Sequence, residues 1–158
     1  MKTVSRQAAQ VLEQLIEAAR TNPEKDNYLK LDRNGPESGI MPVTVEWVGT
    51  EGKFELWSIA HYYPQNGDLM RDPEIVFAVP SHNGVLIYDL AFPVEFTQDG
   101  MPTWMAYQRL VEFEGGKMVR WMPRAQKDAA TFTTTWMRNI KAQQSLSKIP
   151  ANAQLQTA

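Results

Sequence analysis

The chain opens with apolar residues at alternating spacings of three and four. Val4, Ala8, Val11, Leu12, Leu15, Ile16 and Ala19 make one stripe, and Glu13, Gln14, Glu17 and Arg20 take the other side. Residues 4–20 are therefore predicted to form an amphipathic helix, stopped by Asn22-Pro23. The pattern then changes to short runs rich in β-branched and aromatic residues. "NYLKLD" (27–32), "MPVTVEWV" (41–48), "KFELWSIAHYY" (53–63), "PEIVFAV" (73–79) and "VLIYDLAF" (85–92) read as strands. "GTEG" between the second and third runs predicts an antiparallel hairpin, and Asn83-Gly84 marks a turn between the last two.

Along 53–63, a period of two places Phe54, Leu56, Ser58, Ala60 and Tyr62 on one face. Glu55, Trp57, Ile59, His61 and Tyr63 fall on the other. "WMAYQRLVEFE" (104–114) admits a helix by spacing, but Gly115-Gly116 and the following "KMVRWM" favour a strand in a further hairpin. From Pro123 the three-and-four spacing returns through Ala125, Ala129, Phe132, Trp136, Ile140 and Gln143, which predicts a helix over 123–143. Lys127, Arg138 and Lys141 lie off that stripe and should be exposed. The order of elements predicts an α+β domain. It is a mostly antiparallel sheet of about five to seven strands, flanked by an N-terminal and a C-terminal helix. The domain should span 1–147, with a flexible C-terminal tail over 148–158.

Composition removes whole classes of chemistry. The 158 residues include no cysteine, which excludes a thiol nucleophile and any cysteine-based metal centre. No apolar run approaches the ~20 residues a membrane helix needs, and the first residues lack the greasy run of a signal peptide. The expectation is a cytoplasmic protein without a membrane partner. Net charge is only −2 but is unevenly spread. Residues 1–115 hold 9 Lys and Arg against 17 Asp and Glu, and residues 116–158 hold 7 against 1. Such asymmetry marks either a polyanion-binding face or a basic segment folded onto an acidic body.

The most particular stretch is "HYYPQNGDLMRDPEI", 61–75. His61, Asp68, Asp72 and Glu74 have the residue types of a metal site that could serve a metal-dependent hydrolase or nuclease, though not a recognised spacing. Against this, Asn66-Gly67 suits a tight turn and Asp72-Pro73 suits a turn leading into the next strand. No nucleophile elbow, phosphate loop or dinucleotide fingerprint is present, so no catalytic residue and no cofactor is assigned. Arg120, Arg124, Lys127, Arg138 and Lys141, with Trp121 and Trp136 interleaved, offer a basic surface for single-stranded nucleic acid.

The segment "SIAHYYPQNGDLMRDPEIVF" (58–77) resembles a signature, roughly S-I-A-H-Y-Y-E-Q-N-G-D-L-M-x-D-P-E-M-x-F, of a domain family of unknown function from bacterial mobile elements: conjugative elements, plasmids and phages. The likeness extends over "MPVTVEWVG" and the helix 123–143, from about residue 40 to 143. It departs at Pro64, where an acid is usual, and at Ile75, where methionine is usual. The resemblance implies a small cytoplasmic accessory protein of a mobile element. Together with the absence of any catalytic signature, the expectation is a non-enzymatic protein that binds a protein or nucleoprotein partner in DNA transfer or counter-defence. Its expected contact residues are Gln65, Arg71 and Asp72 in the loop and Arg124, Lys127, Arg138 and Lys141 on the last helix.

Overall fold

The computed structural model describes residues 1–146, so the tail expected from 148 onward lies outside the described residues. Helix α1 spans Arg6–Arg20. Ser5 caps it: its Oγ accepts a hydrogen bond from the Ala8 N–H at 3.2 Å, satisfying a donor the first turn leaves free. Val4 is buried ahead of the cap, in an extended segment whose N–H donates to the Ala91 carbonyl at 2.8 Å. Strands β1 (Tyr28–Leu31), β2 (Val43–Glu51), β3 (Phe54–Gln65) and β4 (Asp68–His82) follow, each antiparallel to its neighbour.

The stretch 85–92 is not one strand. It holds β5 (Val85–Leu86), a 3-10 turn (Tyr88–Leu90) and the start of β6 (Phe92–Thr97). Tyr88 is buried and its hydroxyl donates to Glu17 of α1 at 2.7 Å, so a contact distant in sequence breaks the strand there. The stretch 104–114 likewise divides into a helical turn α2 (Thr103–Ala106), β7 (Tyr107–Arg109) and β8 (Val111–Glu114). Strand β8 pairs with β9 (Lys117–Trp121), and α3 spans Pro123–Gln143.

The main sheet runs β1-β2-β3-β4-β6-β7, with β5 attached to β4. Three connections are two-residue turns in which both residues have positive φ: Asn66-Gly67, Asn83-Gly84 and Gly115-Gly116. That geometry matches the twist of the flanking strands and selects Asn and Gly. The molecule is the expected α+β arrangement.

The two sheet faces differ. On the inner face Leu29, Leu31, Val43, Val45, Trp57, Ile59, Ile75, Phe77 and Val79 pack against α1 and α3 in one core. On the outer face a second cluster joins Phe54, Val76, Ala78, Phe92 and Val94 to Leu110 and Val111, where the β8–β9 hairpin folds over one end of the sheet. The turns at Gly52 and Gly116 meet there. A Cβ on Gly52 would stand 2.3 Å from the Gly116 carbonyl oxygen, so this approach requires glycine.

The buried stripe of α3 is rotated from the expected one. Gln126, Thr133 and Met137 are buried, while Phe132 is half-exposed and Gln143 is exposed. The polar members are satisfied locally. Gln126 Nε2 donates to the Lys2 carbonyl at 2.7 Å, and Thr133 Oγ1 donates to the Ala129 carbonyl at 2.7 Å. A hydrogen-bonded polar side chain can occupy a core position that spacing assigns to an apolar one.

Candidate functional site

Strands β3 and β4 continue as a hairpin beyond the reach of β1 and β2. The last β2 partner of β3 is Thr44, opposite Ala60, yet the β3–β4 ladder runs on to Gln65 opposite Asp68. The register slips on the way. Ala60 faces Glu74, while Tyr62 faces Arg71, so His61 alone stands opposite both Asp72 and Pro73. This is a β-bulge on β4, a place where a ladder tolerates proline because no N–H is required. Asp72-Pro73 therefore lies inside a continuous strand and is not the turn expected from the dipeptide.

The root of the hairpin is built from the polar residues of the signature. His61 turns inward, is 5% exposed and packs edge-on against Trp136 with ring centroids 5.6 Å apart. Its Nδ1 lies 2.9 Å from the Pro42 carbonyl oxygen, which can only accept, so Nδ1 carries the proton. Burial lowers the His61 pKa below the usual histidine value, against smaller opposing effects of the Pro42 hydrogen bond and Asp72. Asp72 accepts from Gln98 Nε2 at 2.8 Å. Glu74 accepts from the buried Ser58 hydroxyl at 2.6 Å.

Arg71 donates through Nε and Nη2 to the two oxygens of Asp99, at 2.9 and 3.0 Å. Its backbone N–H adds a third bond to Asp99 Oδ2 at 2.8 Å. The hydrogen bond from Arg71 is the main cause that lowers the Asp99 pKa, and the same contact raises that of Arg71. Arg71 and Asp72 thus both tie β4 to the segment after β6.

The four residues of the expected metal site have different surroundings. His61 is inside against Trp136, Asp68 is at the hairpin tip, and Asp72 and Glu74 are bonded to Gln98 and Ser58. Among the described residues no three His, Asp or Glu side chains converge on a point that could hold a metal ion. His61 stands opposite Asp72 in the ladder, but neither Asp68 nor Glu74 joins them in a group of three.

The tip is different. Pro64, Gln65, Asn66, Gly67, Asp68 and Leu69 are all exposed, Leu69 to 70%. Beneath it, on the outer sheet face, is a cleft of about 450 Å³. Tyr62, Pro64 and Leu69 of the hairpin form one wall, and Tyr28, Lys30, Pro42, Thr44 and Glu46 form the other. The size suits a ligand group or an inserted side chain. Tyr62 is half-buried here, and burial raises its pKa, with Glu74 and Glu46 adding to the effect. The phenol therefore stays protonated and able to donate.

Sequence reasoning missed Leu69 and the wall from β1 and β2. The signal was available only in part. In "YLKL" Leu29 and Leu31 alternate with Tyr28 and Lys30, which predicts two faces but not what lies over the polar one.

A profile of a family described only as a domain of unknown function, DUF6908, matches residues 10–146. The chain belongs to the DUF6908 family. No curated protein and no solved structure matches it. The DUF6908 match is wider than the resemblance read from the signature. It takes in most of α1, the whole sheet and α3, so the hairpin, the cleft beneath its tip and the bulge at its root all lie within the family's domain. No helix among the described residues is long and apolar enough to cross a membrane.

Proposed function

We propose that this DUF6908 protein is a non-enzymatic accessory protein of a mobile genetic element. It captures a protein or nucleoprotein partner in the cytoplasm, serving DNA transfer or counter-defence. The tip of the β3–β4 hairpin and the cleft under it are the contact surface. The observation that carries this reading is the division of labour within 61–75. His61, Arg71, Asp72 and Glu74 hold the hairpin, and Pro64, Gln65, Asp68 and Leu69 stand exposed at its tip. A leucine exposed to 70% at the end of a rigid hairpin is worth little to the fold and much to a partner that buries it. The mobile-element setting rests on the signature at 58–77.

Of the expected loop contacts, Gln65 remains on this surface. Arg71 and Asp72 support it from behind, through Asp99 and Gln98. The test is capture from the native host with the wild type and with Leu69→Asp and Gln65→Ala. The wild type should retain a defined protein partner that Leu69→Asp loses, with both proteins melting at the same temperature. Recovery of the same partner by Leu69→Asp would remove the hairpin tip as the contact surface.

A further inference from the structure

A second surface has a different chemistry, and the observations behind it are independent of the cleft. On α3, Lys127, Thr131, Thr134, Arg138 and Lys141 recur at spacings of four, three, four and three. That is one straight stripe on a helix, with Arg124 three residues before it. All but Thr134 of these six are exposed, and Thr134 is half-buried. None of the four cations joins an ion pair with another described residue. Asp128, the only acid in α3, lies on another flank, in a shallow groove with Phe96 and Phe132.

Tertiary structure adds to the stripe. The Lys2 N–H donates to Gln126 Oε1 at 2.9 Å, and Thr134 Oγ1 bonds Ser5 Oγ at 3.1 Å. These contacts lay the segment before α1 along α3 and bring the exposed Lys2 beside its first turns.

From this geometry we propose that the α3 stripe binds the phosphate backbone of a nucleic-acid duplex. From Arg124 to Lys141 the helix rises roughly 25 Å, a row of cations with the exposed Thr131 hydroxyl among them. Lysine, arginine and threonine are among the side chains that supply most contacts to phosphate oxygens. A single strand would need exposed aromatic rings for its bases. The stripe itself carries none: Trp136 is buried, Phe132 lies on the Asp128 flank against Phe96, and the exposed Trp121 stands ahead of Arg124 at the end of β9. A membrane surface would require apolar groups to insert, and a protein interface an apolar centre. The stripe offers neither. The acidic remainder of the chain repels a polyanion, which confines contact to this side.

The experiment measures binding of the full chain to a short DNA duplex, to a single strand of equal length and to anionic vesicles, across a salt series. Wild type should bind the duplex best. The slope of log K against log salt should be about −3 to −4, as four cations on phosphates require. The combined variant Lys127→Gln/Arg138→Gln/Lys141→Gln should weaken duplex binding about tenfold or more and flatten the slope by roughly 2.7. Leu69→Asp should bind the duplex as the wild type does. No duplex binding at low salt, preference for the single strand or the vesicles, or an unchanged triple variant would each overturn the proposal. Equal loss in Leu69→Asp would also overturn it, by moving the contact to the hairpin.

Discussion

The root and the tip of the β3–β4 hairpin stand a few residues apart and behave as opposites. At the root every polar group has a partner drawn from elsewhere: Pro42 for His61, Gln98 for Asp72, Asp99 for Arg71 and Ser58 for Glu74. At the tip the described contacts are almost wholly local, a two-residue turn and a 3.4 Å bond from the Tyr63 hydroxyl to Gln65. The lesson concerns residue type. Histidine, arginine and carboxylates drew attention to the root, where they are structural. The leucine beside them, with no reactive chemistry, is 70% exposed.

Substitutions at the two ends should separate accordingly. Ile75→Ala, at a fully buried position just inside the root, is expected to cost about 2–5 kcal/mol in a denaturant melt. A loss comparable to that of an exposed residue would mean the root is not part of the core. Glycine turns give the next contrast. Gly52→Ala forces a methyl into the Gly116 backbone, whereas Gly67→Ala, at the tip, meets nothing within 4 Å. Both carry positive φ, so both pay roughly 1–2 kcal/mol for conformation. Gly52→Ala should cost a further amount of about 1–3 kcal/mol for the clash.

Arg71→Ala should destabilise by about 1 kcal/mol, since the Asp99 pair is bidentate but Arg71 is substantially exposed. The same pair sets an acid window. The Asp99 pKa is lowered in the fold, so its contribution is present above pH 3.8 and is lost as pH falls below that value. Asp99→Asn should flatten stability there.

His61 sets a second and higher window. Its pKa is lowered in the fold, so the unfolded chain takes up the proton first, and stability should decline as pH drops below 6.5. His61→Phe should remove that slope. A slope that persists would assign it to another group. Smallest of all, Leu69→Ala and Gln65→Ala should move stability by no more than about 0.5 kcal/mol while Leu69→Ala weakens partner capture.

Much of the fold could be read from the chain, because it depends on local rules. The stripe of α1, the alternation in β1 to β4 and the positive-φ Asn-Gly and Gly-Gly turns are each set by residues close in sequence. Readings failed where a distant partner intervened. Tyr88 gives up a strand conformation to reach Glu17, and Gln126 is held inside by the Lys2 backbone.

The candidate site divides along the same line. The exposure of Lys127, Arg138 and Lys141 followed from helical periodicity, and the turn at Asn66-Gly67 followed from its dipeptide. The inward turn of His61 followed from its alternation with Trp57 and Ile59, whereas the bulge at Asp72-Pro73 opposite it did not show in the sequence. The cleft depends on Tyr28 and Glu46 arriving from two other strands. Sequence alone determined the two long helices, β1 to β4 and their antiparallel order, since periodicity and turn chemistry act over a few residues. Only the tertiary structure decided which polar residues became scaffold and which surface stayed free, because hydrogen bonds across tens of residues leave no pattern in the local sequence.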